Sequence, residues 1–313
     1  MKKEFNYGDI YLVPKKCIVD SRKECSTSVS LGEIKFVSPV YPSNMKSVVN
    51  ENTCKFLAKQ NWFYSMHRFD VDCVQFVDNM LSDNLFASIS TGVNEESYEC
   101  LKALKNAKLN PDYITLDIAN AWSKKAEKMI KWIKDNFDST FLIAGNVATG
   151  DAIKDVEEWG ADAIKVGISG GRVCITKNKT GFHRPMVSTI LDCATAATVP
   201  LIADGGIVEH GDIAKAISCG ASMVMAGSLF AGYDESAGNI IEIEDNYYKE
   251  YFGSASKYNK SEKEHIEGKK ILIKYRGSMD KLLQEILEDI RSSISYSGGK
   301  TLFDLKLSNK IIY

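Results

Sequence analysis

The sequence predicts an α/β protein built as a (β/α)8 TIM barrel, with a lid inserted after the eighth strand. Three observations carry this. Short β-rich runs alternate with segments that suit helices. Their spacing is mostly about 23 to 27 residues, the length of one βα unit. Eight such units occupy roughly 200 residues, which fits a closed barrel. An open doubly wound sheet is the competing arrangement. It needs a topological switch, and no Gly-x-Gly-x-x-Gly opens the first unit.

In chain order, strands are expected at 36–41, 62–67, 86–91, 113–118, 140–147, 163–168, 200–203 and 222–229. The helices between them fall at 48–59, 71–81, 95–108, 122–136, 150–159, 185–197 and 209–219. Gly160-Ala161-Asp162-Ala163 and Gly220-Ala221-Ser222-Met223 repeat one device: a glycine that ends a helix, a small residue, then a strand. Residues 240–275 are charged and aromatic without strong periodicity, and too long for an ordinary loop. They are expected to be a mobile lid over the barrel mouth. Leu282, Leu283, Ile286, Leu287 and Ile290 then share one face of an amphipathic helix over 280–294, the eighth of the barrel. The chain is expected to be a single domain over 1–313, with no regulatory insert.

With 313 residues and 44% apolar content, the chain can bury a substantial core. A formal net charge of −2 gives no electrostatic reason to expect nucleic acid or an anionic membrane as partner. The N-terminus lacks the apolar core of a signal peptide, and no apolar run reaches the ~18 residues of a membrane span. The expected compartment is cytoplasmic. Eight cysteines include no Cys-x-x-Cys pair and are expected to be free thiols. Four histidines form no cluster with them, which argues against a structural zinc.

Active sites of barrels lie at the carboxyl ends of their strands. The sixth strand runs there into Val166-Gly-Ile-Ser-Gly-Gly-Arg-Val-Cys-Ile-Thr-Lys177. Glycines let backbone approach a ligand closely, so Cys174 on this loop is a candidate nucleophile. Ala203-Asp204-Gly205-Gly206-Ile207 after strand seven and Met225-Ala226-Gly227-Ser228 after strand eight match the phosphate site usual in barrels, where backbone N–H groups bind the anion. A phosphorylated small molecule is the expected ligand.

The cysteine loop, Ile202-Ala-Asp-Gly-Gly-Ile207, Met223-Val-Met-Ala-Gly-Ser-Leu-Phe-Ala-Gly232, Tyr251-Phe-Gly-Ser-Ala-Ser256, Glu267-Gly-Lys-Lys270 and Ser292-Ser-Ile-Ser-Tyr296 together resemble the IMP dehydrogenase/GMP reductase family, most closely its bacterial-type GMP reductase branch. The resemblance runs in order from Tyr7-Gly-Asp-Ile through Tyr64-Ser-Met-His-Arg-Phe69 to about Gly299, nearly the whole chain. It implies NADPH-dependent reductive deamination of GMP to IMP and ammonia through a thioimidate at purine C2. The implied catalytic residues are Cys174, Thr176 and Glu267. Asp204 would hold the ribose, and Gly205, Gly206, Gly227 and Ser228 the phosphate. Ser254, Ala255 and Gly268 would line the base. The cofactor would meet Arg68, Asp117, Ile118, Ala119 and Ile168, with Ser292, Ser293 and Ser295 contributed by a neighbouring subunit, since family members are homotetramers. Carbonyls of Ser169, Gly171 and Cys174 would hold a potassium-like cation.

The rival activity within the family is IMP dehydrogenase, which oxidises IMP with NAD+. No insert follows the second βα unit, where most dehydrogenases carry regulatory modules, and the short lid resembles the reductase form. Tyr275-Arg276 resembles the dehydrogenase's water-activating pair, at a position the reductases share. A nucleotide-binding barrel without turnover is the non-catalytic alternative, and retention of Cys174, Thr176 and Glu267 opposes it. Two departures stand out. Ser169-Gly170-Gly171 replaces the family's usual Gly-Pro-Gly, and a positive φ at Ser169 would cost on the order of 1 kcal/mol. Asn120-Ala121-Trp122 stands where reductases often have His-Gly-His.

Overall fold

Seven parallel strands form one curled sheet in a computed structural model that describes residues 3–254, 256 and 268–312. Their spatial order is Val40–Pro42, Met223–Ala226, Leu201–Asp204, Ala163–Val166, Phe141–Val147, Tyr113–Asp117 and Ser88–Thr91. The first strand thus pairs with the last, as a barrel requires. The remaining gap lies between Ser88–Thr91 and Val40–Pro42, and residues 62–67 fill it. Here the expected strand is reduced to a single parallel bridge, Met66 to Ile89, with the Met66 N–H donating to the Ser88 carbonyl at 3.0 Å. Aromatic packing replaces the ladder. The Phe63 ring sits 4.8 Å from Tyr41 and 5.1 Å from Tyr113, centroid to centroid, in edge-on contacts that fasten the segment to the Val40–Pro42 and Tyr113–Asp117 strands.

The helices fall where the periodicity puts them: Glu51–Lys59, Cys73–Ser82, Glu95–Asn106, Lys124–Asn136, Gly150–Glu158, Met186–Ala196, His210–Ser218 and Asp280–Tyr296. Asn50, Asp72, Asn94, Ser123 and Thr149 cap the first five, each accepting a backbone N–H from the opening turn. Such caps contribute about 1 kcal/mol each and fix where each rim loop ends. Two apolar cores result. One fills the barrel with Leu31, Phe36, Tyr41, Phe63, Tyr113, Ile143, Ile202, Met223 and Met225. The other lies between strands and helices.

Three features depart from or extend the sequence reading. The 240–275 region contains an antiparallel sheet of Ile240–Ile243, Asn246–Phe252 and Lys270–Lys274. Its first turn uses left-handed Glu244 and Asp245, a geometry that matches strand twist in tight hairpins. The two outer strands are largely exposed and the middle one buries a charged residue, Lys249, beside Tyr251, so the apolar alternation that identifies a strand is missing. Near the N-terminus, Ile10–Leu12 pairs with Lys310–Ile312, joining the two ends of the described chain. Cys73 and Cys100 form a disulfide, contrary to the expectation of free thiols. They occupy neighbouring helices that bring their Cα atoms to 6.3 Å, within bridging range, and a separation of 27 residues carries no sequence signal for it.

Candidate active site

The carboxyl ends of the strands converge on a cavity of about 550 Å3. Its cysteine wall begins where Ala163–Val166 ends. Gly167 has φ 133°, and a Cβ there would lie 2.3 Å from the Asp204 carbonyl oxygen, so only glycine lets the two loops cross. Ser169 follows in the left-handed region at φ 62°. Its hydroxyl accepts the Lys177 N–H at 3.0 Å, tying the start of the loop to the short helix Thr176–Thr180 that closes it. A glycine would adopt this φ more easily but could not make the tie.

Cys174 is half-buried, with Sγ 3.2 Å from Thr176 Oγ1. Its backbone N–H donates to Gly171 O at 3.1 Å, and a bridge to Gly268 joins the loop to the segment leading into Lys270–Lys274. Thiol and hydroxyl therefore reach the cavity together.

The facing wall is backbone. Gly205 and Gly206 have φ 105° and 79°, and a Cβ on Gly205 would lie 2.7 Å from the Gly170 carbonyl carbon. A Cβ on Gly227 would lie 2.2 Å from Tyr251 Oη. With Ser228 beside them, these loops offer main-chain atoms unobstructed by side chains, the form an anion site takes. Ser254 and Gly268 line the same space.

Beneath both walls lies an ionic floor, in which Asp117 and Asp204 were expected from the sequence and the lysine between them was not. Lys165, fully buried, places Nζ 2.5 Å from Asp117 Oδ1 and 2.9 Å from Asp204 Oδ2. Burial alone would lower the lysine's pKa, but the two carboxylates outweigh it and the net direction is up. For Asp117, burial acts to raise the carboxyl, while the ammonium, the hydrogen bond to it and Arg68 carry it below its ordinary value. Asn146 adds a second donor to Asp204 Oδ2 at 2.9 Å and reaches Gly167 O at 2.8 Å. Its Oδ1 is buried without a hydrogen-bond partner among the described residues. The available signal was Lys165 itself, the one charge in an apolar strand.

Arg68, Asp117, Ile118, Ala119 and Ile168 line the cavity beyond Cys174, pairing a cation with an apolar surface. That combination fits a nicotinamide nucleotide, which needs a flat apolar bed for its ring and positive charge for its phosphates. Ser169, Gly171 and Cys174 also border the cavity, and the Gly171 carbonyl already accepts the Cys174 N–H. Ser292, Ser293 and Ser295 lie outside it on the Asp280–Tyr296 helix, with Ser295 Oγ 3.2 Å from Cys17 Sγ. Ala255 and Glu267 lie outside the described residues. Tyr275 and Arg276 are absent from the cavity lining: Tyr275 Oη donates to Asp234 and the Arg276 guanidinium packs over the Tyr233 ring.

Among the described residues, no helix is long and apolar enough to cross a membrane. The family model for the IMP dehydrogenase/GMP reductase domain matches residues 4–313. A GMP reductase of Chromobacterium violaceum is 66% identical over 306 residues, covering 98% of this chain and 97% of that protein. GMP reductases of Albidiferax ferrireducens and Oceanobacillus iheyensis are each 52% identical, over 98% and 96% of this chain and 95% and 93% of their own lengths. The chain belongs to the IMP dehydrogenase/GMP reductase family.

Proposed function

We propose that the chain is an NADPH-dependent oxidoreductase that converts GMP to IMP and ammonia in purine nucleotide salvage. The observation that carries this is the placement of Cys174 Sγ 3.2 Å from Thr176 Oγ1, in a cavity whose facing wall is the two glycine loops. The phosphate on Gly205, Gly206, Gly227 and Ser228, with the ribose on Asp204, would bring the purine edge to the thiol. Ser254, Ala255 and Gly268 would bed the base.

Cys174 adds to C2 as the thiolate, giving a tetrahedral adduct. The 2-amino nitrogen takes a proton and leaves as ammonia, forming the thioimidate. Thr176, whose hydroxyl lies within reach of the sulfur, and Glu267 would handle that proton, a role that suits a hydroxyl and a carboxylic acid. NADPH, when bound, would supply the hydride to C2, and departure of the Cys174 thiolate would then yield IMP. Arg68, Asp117, Ile118, Ala119 and Ile168 would seat the cofactor on this subunit, and Ser292, Ser293 and Ser295 on a neighbour in a homotetramer. Carbonyls of Ser169, Gly171 and Cys174 would hold K+. The 240–275 segment would cover the bound nucleotide, and the enzyme would act in the cytoplasm.

The test is GMP-dependent loss of NADPH absorbance. Reduction of NAD+ by IMP, with no GMP-dependent oxidation of NADPH, would reassign the chain to the dehydrogenase activity.

A further inference from the structure

The floor of the cavity carries a residue that the proposed chemistry leaves without a role. Lys165 has no exposed side-chain area, while Asp117 and Asp204, its two partners, keep 21% and 20% of theirs and face the cavity. Its ammonium uses one donor on Asp117 Oδ1 and another on Asp204 Oδ2, and it lies 3.6 Å from Met225 Sδ, a weak acceptor. One oxygen of each carboxylate is thereby tied to the floor. Asn146 reinforces the tie on Asp204 Oδ2.

We propose that Lys165 is a positioning residue shared by both halves of the site, its single ammonium holding Asp204 for the nucleotide ribose and Asp117 for the cofactor. The proposal rests on the reading of the site given above. Packing does not require a charge here, since the barrel interior below is filled by apolar and aromatic side chains. A buried ion group is a poor source of stability compared with apolar filling. Its use is geometric and electrostatic. Two carboxylates without a cation between them repel, and one of them takes up a proton. A protonated Asp204 would present a donor where a ribose hydroxyl needs an acceptor.

The test uses the full-length enzyme, after wild type is shown to turn over GMP with NADPH. Asp204→Asn raises the KM for GMP alone, and Asp117→Asn the KM for NADPH alone. Lys165→Met raises both, by about tenfold each, the loss expected for one charge-assisted hydrogen bond at each partner. Its effect on GMP is less than additive with Asp204→Asn. A Lys165→Met enzyme with either KM within about twofold of wild type overturns the proposal. If that variant does not fold, the cycle between Asp117→Asn and Asp204→Asn decides, read by calorimetric binding of GMP and NADP+. Coupling through the shared ammonium makes the two effects non-additive, and strict additivity overturns the proposal. Absence of turnover in wild type would instead sink the functional reading, and calorimetric binding of GMP to Lys165→Met would still test the lysine.

Discussion

The floor and the rim of the cavity are built by opposite means. The floor is made of charged side chains on strand ends: Lys165, Asp117 and Asp204, with Asn146 at the end of Phe141–Val147. The rim is mostly backbone, with glycines at 167, 205, 206 and 227 where a Cβ would meet another chain segment. A strand holds a charge at a fixed depth, because its neighbours fix it on both sides. A loop that must wrap a phosphate needs N–H groups facing inward and side chains out of the way. Cys174 stands where these two constructions meet: it rides on the rim, and the floor would orient what it attacks.

The largest expected effect is at that meeting point. Cys174→Ala should lower turnover by ~1,000-fold or more, as loss of a covalent nucleophile does, while GMP binding by calorimetry stays near wild type. Comparable turnover in the variant would remove the covalent route. A buried histidine on the 62–67 segment supplies the next effect. Burial, with Lys46 adding to it, depresses His67 to about 4 from 6.5, against an opposing effect of Asp70. The unfolded chain then binds the extra proton between these values, so stability is full above about pH 6.5 and falls as pH drops toward 4. The shift corresponds to about 3 kcal/mol across that window. Chemical denaturation at several pH values should show a flatter dependence in His67→Gln than in wild type, and identical slopes would contradict the assignment.

The rim gives the smaller effects. Gly227→Ala drives a methyl onto Tyr251 Oη. It should weaken GMP binding by roughly tenfold, a cost of overpacking near 1–2 kcal/mol. Removing the hydroxyl as well, with Tyr251→Phe, should recover part of the loss; no recovery would mean that the clash is not the cause. At Ser169 the two terms oppose. Ser169→Gly relieves a left-handed φ worth about 1 kcal/mol and loses a hydrogen bond of similar size, so thermal unfolding should barely move. Ser169→Ala keeps the strain and loses the bond, and should be less stable than both. Equal unfolding of all three would show that the Lys177 tie contributes nothing.

The same contrast explains how much was legible in the sequence. Glycine loops and a cysteine on a strand-end loop are punctuation, and the rim could be located from spacing alone. Helix positions were legible because their apolar faces and caps are local. In the floor, Asp117 and Asp204 were legible as strand-end residues, and the lysine that joins them was not. Lys165 sits in Ala-Ile-Lys-Val, a four-residue strand in which one charge does not disturb an apolar pattern, and its partners lie 48 and 39 residues away. Residues 62–67 carry a strand's composition, yet aromatic packing holds them where a ladder was expected. The Lys270–Lys274 sheet was hidden for the converse reason, since exposed strands need no apolar alternation. Cys73 and Cys100 meet only through the docking of two helices. Long-range placement, not local preference, decides all four.

The central claim is that purine C2 of GMP loses its amine and receives hydride from the nicotinamide. Isotope transfer tests it most directly: wild-type enzyme turning over GMP with NADPH deuterated at nicotinamide C4, and the IMP product read by proton NMR. The account predicts deuterium at C2 of IMP, with loss of the C2 proton signal and one ammonia released per IMP. IMP carrying a solvent proton at C2, or ammonia released without IMP, would contradict it.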